Sequence, residues 1–189
     1  MQAERALFLQ IVARIDPQRL VYVDESGVVL GMRRAYGYAP RGQPCIDSAP
    51  YRKGRRTSLL GWISRRGGHV VACEGTVDRA VFERFVVEDL APSLQAGDVV
   101  VWDNHSIHKG AAARAAIEAR GAVLLFQPRY SPDTNAIEML WSKLKTLGRR
   151  ARADTTAALH VATEQACAAV SEQDLRGWIG HVLRLTPDQ

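Results

Sequence analysis

Three acidic residues stand where side chains commonly do chemistry. Asp24 follows the apolar run 20–23, Asp103 follows the apolar run 98–102, and Glu138 lies at the start of a predicted helix. Active groups of α/β sheets collect at the carboxyl ends of strands, so the two aspartates are neighbours if their strands pair. Three carboxylates together repel one another unless a cation is bound. Mg²⁺ prefers oxygen ligands, and a pair of such ions suits phosphoryl transfer.

Each acid also has an ordinary structural explanation. An aspartate at a strand end is often a turn former. Glu138 follows Asn135 by three residues, which is the spacing of a capping box, where the acid returns to the amide of the cap residue. Taken alone, the helix segment favours capping. The presence of two further acids at strand ends favours chemistry.

The helix that carries Glu138 is predicted from its own pattern. Apolar residues recur at i, i+4 and i+7 within 137–144, which is one face of an amphipathic helix. Two prolines within 128–132 indicate a turn just upstream. Asn135 is the predicted N-cap.

The rest of the chain alternates between strand and helix patterns. The order predicts an α/β fold in which a mixed sheet, an antiparallel meander plus parallel strands, is flanked by helices on both faces. We expect residues 1–189 to form a single domain. The predicted elements are a helix at 2–14, a hairpin at 20–33, a long loop at 34–56, strands at 57–64 and 69–74, a helix at 78–90, a strand at 98–102, a helix at 107–119, a strand at 122–126, and helices at 154–170 and 172–185.

Composition limits the class of protein. The chain has 189 residues, 47% of them hydrophobic and 24% charged, which is usual for a globular domain. No apolar run approaches the roughly 20 residues that span a bilayer, and the first residues lack the features of a signal peptide, so we expect a cytoplasmic protein. The three cysteines have no disulfide or zinc spacing.

Basic residues are clustered although the net charge is only +5. Clustered cations suit a nucleic-acid backbone, and solvated basic faces are the alternative. Tyr36 and Tyr38, set among the first cluster, are candidates for stacking on a splayed base, and a plain loop role is the alternative. The first cluster comprises Arg33, Arg34, Arg41, Arg52, Lys53, Arg55 and Arg56, and the second comprises Lys143, Lys145, Arg149, Arg150 and Arg152.

Three stretches together resemble a known family. VYVDESG, VVVWDNHSIHKG and QPRYSPDTNAIEMLWSKLK are similar to the motif blocks of the DDE transposases of bacterial insertion sequences related to the mariner group. Thirty-four residues separate Asp103 from Glu138, which is the spacing that the resemblance requires. YGYAPRGQP and DLRGWIGH also resemble that family.

The resemblance implies an RNase H-like fold and a catalytic triad of Asp24, Asp103 and Glu138. It further implies two Mg²⁺ ions, with Mn²⁺ as a substitute, held by the triad, and cleavage and strand transfer of transposon DNA. The implied partners are transposon ends and target DNA. Coupling of two ends suggests a homodimer. The implied location is the bacterial cytosol, in association with the nucleoid. We expect supporting roles beside the triad for Asn104, His108 and Glu25, and DNA contacts for Arg33, Arg34, Tyr36, Arg41, Lys143, Lys145 and Arg149.

The chain departs from the family pattern in two ways. Ala136 stands where the family commonly has proline before the glutamate, and proline there only preorganises the helix. Only about 20 residues precede Asp24, too few for the helix-turn-helix that usually recognises transposon ends. We therefore expect the catalytic half of a split reading frame, whose helix-turn-helix region is a separate part, or else a truncated copy or an excised domain.

Three alternatives remain at this point. The first is an RNase H-like nuclease that only hydrolyses nucleic acid. The second is an inactive remnant that binds DNA through its basic faces. In addition, Asp103, His105 and His108 have spacing that would suit a transition metal, although the triad already uses Asp103 with a harder metal.

Overall fold

The computed structural model describes residues 2–29, 31–34, 36–48 and 56–185. Within these ranges, the strands and α-helices follow the predicted order, except that one strand stands in place of the predicted hairpin. The strands are β1 (Leu20–Val29), β2 (Arg56–Ser64), β3 (Gly67–Glu74), β4 (Val99–Trp102) and β5 (Val123–Phe126). The α-helices are α1 (Gln2–Ala13), α2 (Arg79–Phe85), α3 (Ala111–Glu118), α4 (Ile137–Ala151), α5 (Thr156–Ala168) and α6 (Glu172–Leu183).

The five strands form one mixed sheet in the order β3-β2-β1-β4-β5. The β3-β2-β1 half is antiparallel, and β1, β4 and β5 are parallel to one another. Parallel neighbours require crossover connections, which usually contain helices, and here the segments with α2 and α3 supply them. The predicted combination of an antiparallel meander and parallel strands is confirmed.

The sheet is covered by apolar side chains on both faces. Successive residues of a strand point to opposite faces, and β1 follows this rule: Leu20 and Tyr22 join one buried cluster, whereas Val21 and Val23 join the other. The first cluster contains residues of α1, α4, α5 and α6, and the second contains residues of α2 and α3. Helices therefore cover both faces, as predicted.

The predicted hairpin at 20–33 is wrong. Asp24 to Gly27 resembles a turn in sequence, but β1 continues without a break to Val29 and pairs with β2. Val28 is buried and Gly27 lies opposite Ser58 in the ladder. Backbone pairing with a strand about thirty residues later outweighs the local turn preference, because each paired residue satisfies its backbone groups.

The predicted helix at 107–119 is also shorter than expected. A 3₁₀ turn occupies Ser106–Lys109, Gly110 is the N-cap, and α3 begins at Ala111. The helix predicted at 78–90 ends as an α-helix at Phe85 and continues as a π-helical turn over Val86–Leu90. The loop predicted at 34–56 has no helix or strand in residues 36–48, and Arg52, Lys53 and Arg55 lie outside the described residues.

Cys45, Cys73 and Cys167 are free thiols, as their spacing predicts. Within the described ranges, no helix is long and apolar enough to cross a membrane.

A buried ion pair joins the start of β4 to the turn between β2 and β3. Asp98 is fully buried, and its carboxylate accepts hydrogen bonds from Arg66 Nη1 at 3.1 Å and from the Gln95 amide at 2.9 Å. Arg19 lies 3.7 Å from the same carboxylate. Removing one partner of a buried pair leaves a poorly compensated charge.

We therefore expect Arg66→Met to lower the free energy of unfolding by about 3 kcal/mol, measured by urea denaturation. Arg176→Met is the matched control, because Arg176 pairs with Glu172 on the exposed surface of α6 and such pairs contribute little. Equal stability of the two variants would contradict a structural role for the Asp98 pair.

Candidate active site

The parallel pairing of β1 and β4 brings two of the predicted acids together. The paired residues run from Leu20 with Val99 to Tyr22 with Val101. Continuing this register by two residues sets Asp24 opposite Asp103. Strand β4 ends at Trp102, whereas β1 continues. Asp24 therefore lies within its strand and not at the end that the sequence predicts, yet it stands at the edge where β4 stops.

Helix α4 brings the third acid to the same place. Ile137, Leu140 and Trp141 are buried in the core cluster, which fixes the helix against the sheet and leaves Glu138 half-buried at its first turn. The predicted N-cap Asn135 is wrong by one residue: Ala136 is the N-cap of α4, and it has no side chain that could cap the helix. The side-chain oxygen of Asn135 accepts a hydrogen bond from the Ile137 amide at 3.4 Å.

The capping-box explanation of Glu138 is not supported. In a capping box the glutamate would accept the amide of Asn135, but that amide donates to the carbonyl of Pro132 at 2.9 Å. Among the described residues, no hydrogen bond or ion pair is made by the Glu138 carboxylate. The acid is therefore free for another role.

All three acids line one open cavity of about 500 Å³. Asn104 from the predicted set lies on its wall as well. His105, which the sequence offered only for the transition-metal alternative, also lines it. The other lining residues, which the sequence did not single out as site residues, are Ser106, Lys109, Gln127, Pro128, Arg129, Tyr130, Ser131, Pro132 and Asn135. The cavity therefore combines residues of β1 and of the segments after β4 and β5 with the turn before α4.

Negative charge accumulates at Asp24. Burial raises the pKa of this carboxyl, and the charges of Glu25 and Glu138 raise it further, to about 7, against the hydrogen bond that Trp141 donates. Near neutral pH and without a metal, the Asp24 carboxyl is therefore protonated in a part of the molecules. A cation beside Asp24 would remove this electrostatic cost.

His108 lies between two acids behind the cavity. Its Nδ1 forms an ion pair with Asp103, and its Nε2 lies 2.9 Å from Glu25 Oε2. The imidazole is fully buried and its ring centroid is 4.2 Å from that of Phe82. Burial lowers the pKa of His108, but the two carboxylates outweigh burial and raise it to about 9, so the ring is an imidazolium at neutral pH.

The same contact controls Asp103. Burial alone would raise its pKa, but His108 and the amide of His105, which donates at 2.9 Å, lower the pKa below its usual range. Asp103 is therefore ionised at neutral pH while Asp24 is not fully so.

The donor set fits a hard divalent cation. Three carboxylates line the cavity, and the pKa of one of them, Asp24, is raised by burial and then by neighbouring acids. Carboxylate oxygens are the ligands that Mg²⁺ uses. Within the described part of the chain, no three histidine, cysteine or acidic side chains converge closely enough to close a metal site by themselves. The transition-metal alternative, with Asp103, His105 and His108 as ligands, is therefore not supported within the described residues. An open arrangement agrees with Mg²⁺ chemistry, in which waters and substrate phosphates complete the coordination.

Two of the predicted DNA contacts are engaged in ion pairs within the chain. Both guanidinium nitrogens Nη1 and Nη2 of Arg33 lie 3.0 Å from the carboxylate of Asp154. Lys143 Nζ lies 2.7 Å from Asp174 Oδ2. These ion pairs hold loop and helix segments together. In the chain without DNA, Arg33 and Lys143 therefore make structural contacts.

The other predicted contacts keep their polar ends available. Within the described residues, no ion pair is formed by Arg34, Arg41, Lys145 or Arg149. Tyr36 is 91% exposed and Tyr38 is fully exposed. None of these residues lines the carboxylate cavity.

Lys109, Arg129 and Tyr130 are the residues of interest that sequence reasoning missed. Lys109 and Arg129 are exposed on the wall of an acidic cavity. Tyr130 is 89% exposed and has a φ of 57°, in the left-handed region, where a tyrosine is uncommon. All three fall inside the motif blocks at 99–110 and 127–145, and this is the signal that could have found them.

The comparison with family models decides the family. A model described as DDE superfamily endonuclease matches residues 19–160, which is three quarters of the chain and includes all three acids. The chain belongs to the DDE superfamily endonucleases. The DDE family that the motif blocks predict is confirmed.

Solved structures of Mos1 transposase share the fold of this DDE-family chain. The Mos1 strand transfer complex matches with a TM-score of 0.79 and 22% identity over 97% of this chain and 58% of that chain. The mariner Mos1 paired-end complex with Mg matches with a TM-score of 0.78 and 21% identity, over 97% of this chain and 59% of that chain. The Mos1 catalytic domain matches with a TM-score of 0.70 and 16% identity, over 95% of this chain and 87% of that chain. No curated protein matches in sequence.

These likenesses confirm the predicted RNase H-like fold. The chain spans about three fifths of the length of the Mos1 chains in the strand transfer and paired-end complexes and most of the length of the catalytic domain.

The raised pKa of Asp24 gives a signed prediction for stability in metal-free buffer. Below about pH 4, the ordinary range for a carboxyl, Asp24 is protonated in both folded and unfolded chains. As the pH rises towards 7, ionisation is easier in the unfolded chain, so the native chain loses stability. Asp24→Asn cannot ionise, and we expect it to gain stability relative to the native chain as the pH rises from about 4.5 to about 8.

Urea unfolding at the two pH values, with chelator present, measures this difference. Glu88→Gln, at an exposed acid outside the cavity, is the control and should show no such trend. A stability difference for Asp24→Asn that does not change with pH would contradict the electrostatic account of the site.

Proposed function

We propose that this chain is the catalytic domain of a DDE transposase, which cleaves DNA and transfers the freed strand to a target in a reaction that depends on Mg²⁺. The observation that carries the proposal is the cavity on which Asp24, Asp103 and Glu138 meet. These are the three acids that the family motifs select, and no polar partner inside the described chain occupies Glu138.

The three carboxylates are proposed as the ligands of two Mg²⁺ ions, with Mn²⁺ as a substitute. Two such ions, when bound, supply Lewis-acid activation of the attacking oxygen and stabilise the leaving oxygen. The chain itself contributes no nucleophile in this reaction. Its carboxylates hold a fixed geometry at the edge of the sheet, and the phosphodiester is positioned against them.

His108 and Glu25 are proposed to hold Asp103 in place. The imidazolium contacts Asp103 through one nitrogen and Glu25 through the other. This keeps Asp103 ionised, as a ligand must be, and restricts its side chain. Asn104 lies on the cavity wall and is proposed to donate to a phosphate or a water there.

The DNA backbone is proposed to reach the carboxylates past Lys109 and Arg129. Both cations are exposed on the cavity wall, where they offset the repulsion between phosphates and acids. Lys145 and Arg149 on α4, with Arg34, Tyr36 and Arg41 on the loop, are proposed as more distant contacts. Such contacts position the duplex and carry no sequence information.

Mos1 has been solved as paired-end complexes and as a strand transfer complex. By analogy, we propose that two copies of this chain act together on two transposon ends. Recognition of those ends is proposed to require a helix-turn-helix region, and the place of action is proposed to be the bacterial cytosol, at the nucleoid.

Cleavage of supercoiled plasmid tests the activity. With Mg²⁺ or Mn²⁺ we expect nicked product from the native chain, and a loss of at least about 100-fold in rate for Asp103→Asn and Glu138→Gln, since each removes a proposed metal ligand. Glu118→Gln, at an exposed acid of α3, should cleave like the native chain. Metal-dependent nicking retained in Glu138→Gln would sink the triad assignment.

A joining assay separates a transposase from a nuclease that only hydrolyses. A pre-cut DNA end with a free 3′-hydroxyl is supplied with target plasmid, and joined product is scored. Nicking without joining would favour the nuclease. Salt-dependent binding without any metal-dependent product would favour an inactive DNA-binding remnant.

The proposed DNA path gives a separate prediction. Replacing both Lys109 and Arg129 with alanine should weaken binding of plasmid DNA. It should also reduce the slope of log affinity against log salt by roughly 0.9 for each phosphate that the variant no longer neutralises. Fluorescence anisotropy over a salt series measures both quantities. Arg176→Ala on α6 is the control for loss of a surface cation, and an equal change in that variant would show that the effect is not local.

A further inference from the structure

Trp141 links the helix of Glu138 to the carboxylate of Asp24. Its indole Nε1 donates a hydrogen bond to Asp24 Oδ2 at 3.3 Å. The side chain is 1% exposed, so water does not compete for the bond. Trp141 follows Glu138 by three residues on α4, which places both on neighbouring positions of the helix surface. One rigid element therefore carries the third acid and also holds the first.

Gly61 makes room for this arrangement. It is the residue opposite Asp24 in the pairing of β1 with β2. A Cβ atom at this position would lie 2.8 Å from Cη2 of Trp141, closer than carbon atoms approach. The missing side chain leaves room on β2 for the six-membered ring of the indole, and in this position Nε1 reaches Asp24.

The other buried indoles behave differently. The Nε1 atoms of Trp62 and Trp102 are buried without a hydrogen-bond partner in the part of the chain that the structure describes. Those two rings serve as apolar volume in the core. Trp141 has the same apolar setting, but its N–H is directed to a carboxylate of the cavity.

We propose that Trp141, seated against Gly61, is a positioning residue that sets the orientation of the Asp24 carboxylate and its distance from Glu138. This inference rests on the proposed metal-dependent function. A hydrogen bond to one carboxylate oxygen restricts rotation of the group and so directs the other oxygen. Partners of this kind orient metal ligands without touching the metal. Trp141 thus governs cation affinity although it contacts neither cation nor DNA.

Mn²⁺ titration of the purified chain tests the inference. Calorimetry or electron paramagnetic resonance measures affinity directly, independently of any activity. Trp141→Phe keeps a buried ring and removes the N–H, and we expect its Mn²⁺ dissociation constant to rise by about 10-fold to 100-fold, the usual effect of losing such a partner. Trp62→Phe is the matched control, since it removes an indole N–H that has no partner within the described residues, and it should bind like the native chain.

A double-mutant cycle with Gly61→Ala separates positioning from general packing. The added methyl displaces the indole, so Gly61→Ala alone should weaken Mn²⁺ binding. A phenylalanine at 141 lacks the ring atom that the methyl would meet. The methyl would still lie 3.1 Å from the His69 carbonyl oxygen and 3.2 Å from Val70 Cγ2, and these atoms are on β3, away from the bond to Asp24. The same change should therefore lower stability in Trp141→Phe but have little further effect on its Mn²⁺ affinity. The melting temperature of each variant is recorded, because a packing defect alone lowers it without coupling the two sites in metal affinity.

The outcomes separate the metal site from the positioning role. If the native chain and Asp103→Asn bind Mn²⁺ equally, the proposed metal site itself fails, and the positioning role with it. If the native chain binds and Trp141→Phe binds as tightly as Trp62→Phe, only the positioning role is overturned. Additive effects of Gly61→Ala and Trp141→Phe on affinity would also overturn it.

Discussion

The site depends on like charges being held together by apolar packing. Asp24 and Asp103 are adjacent because β1 and β4 pair in parallel, and those strands pair because valines and leucines are buried on both of their faces. The carboxylates gain nothing from this proximity. The raised pKa of Asp24 records the electrostatic cost that burial of the strands imposes, and a bound cation would convert that cost into affinity.

Helix α4 extends the same logic to the third acid. Its buried face determines how the helix lies on the sheet, and the position of Glu138 follows from that packing. The preceding turn is held by its own hydrogen bonds, from the Thr134 hydroxyl to the Ser131 carbonyl and from the Gln127 side chain to Thr134. The buried helix face, the tied turn and the two paired strands thus determine where the three acids lie on the cavity.

Much of this could be predicted from the sequence, for identifiable reasons. The apolar runs before Asp103 and along α4 are long and regular, so the strand, the helix and the acids they carry follow from local pattern. The course of β1 past Asp24 could not be predicted, since the four residues from Asp24 resemble a turn and only a distant strand overrides them. The pairing of Lys143 with Asp174 and of Arg33 with Asp154 was missed for the same reason. Each partner lies at least 31 residues away, and a count of basic residues does not reveal it.

These ion pairs reduce the number of basic side chains that are available for a nucleic-acid backbone. Several cations of the two basic clusters are already neutralised by acids of the chain, through Arg33 with Asp154, Arg152 with Asp47 and Lys143 with Asp174. Near the carboxylates, Lys109 and Arg129 remain, facing three acids.

With the acids ionised and no cation present, the cavity repels a phosphate. A divalent cation among the acids would reverse this balance, and a phosphate would in turn supply oxygen ligands to that cation. Each would then bind better in the presence of the other, and such coupling is reciprocal by thermodynamic necessity. On the proposed function, the open carboxylate arrangement would therefore couple binding of the cation to binding of DNA.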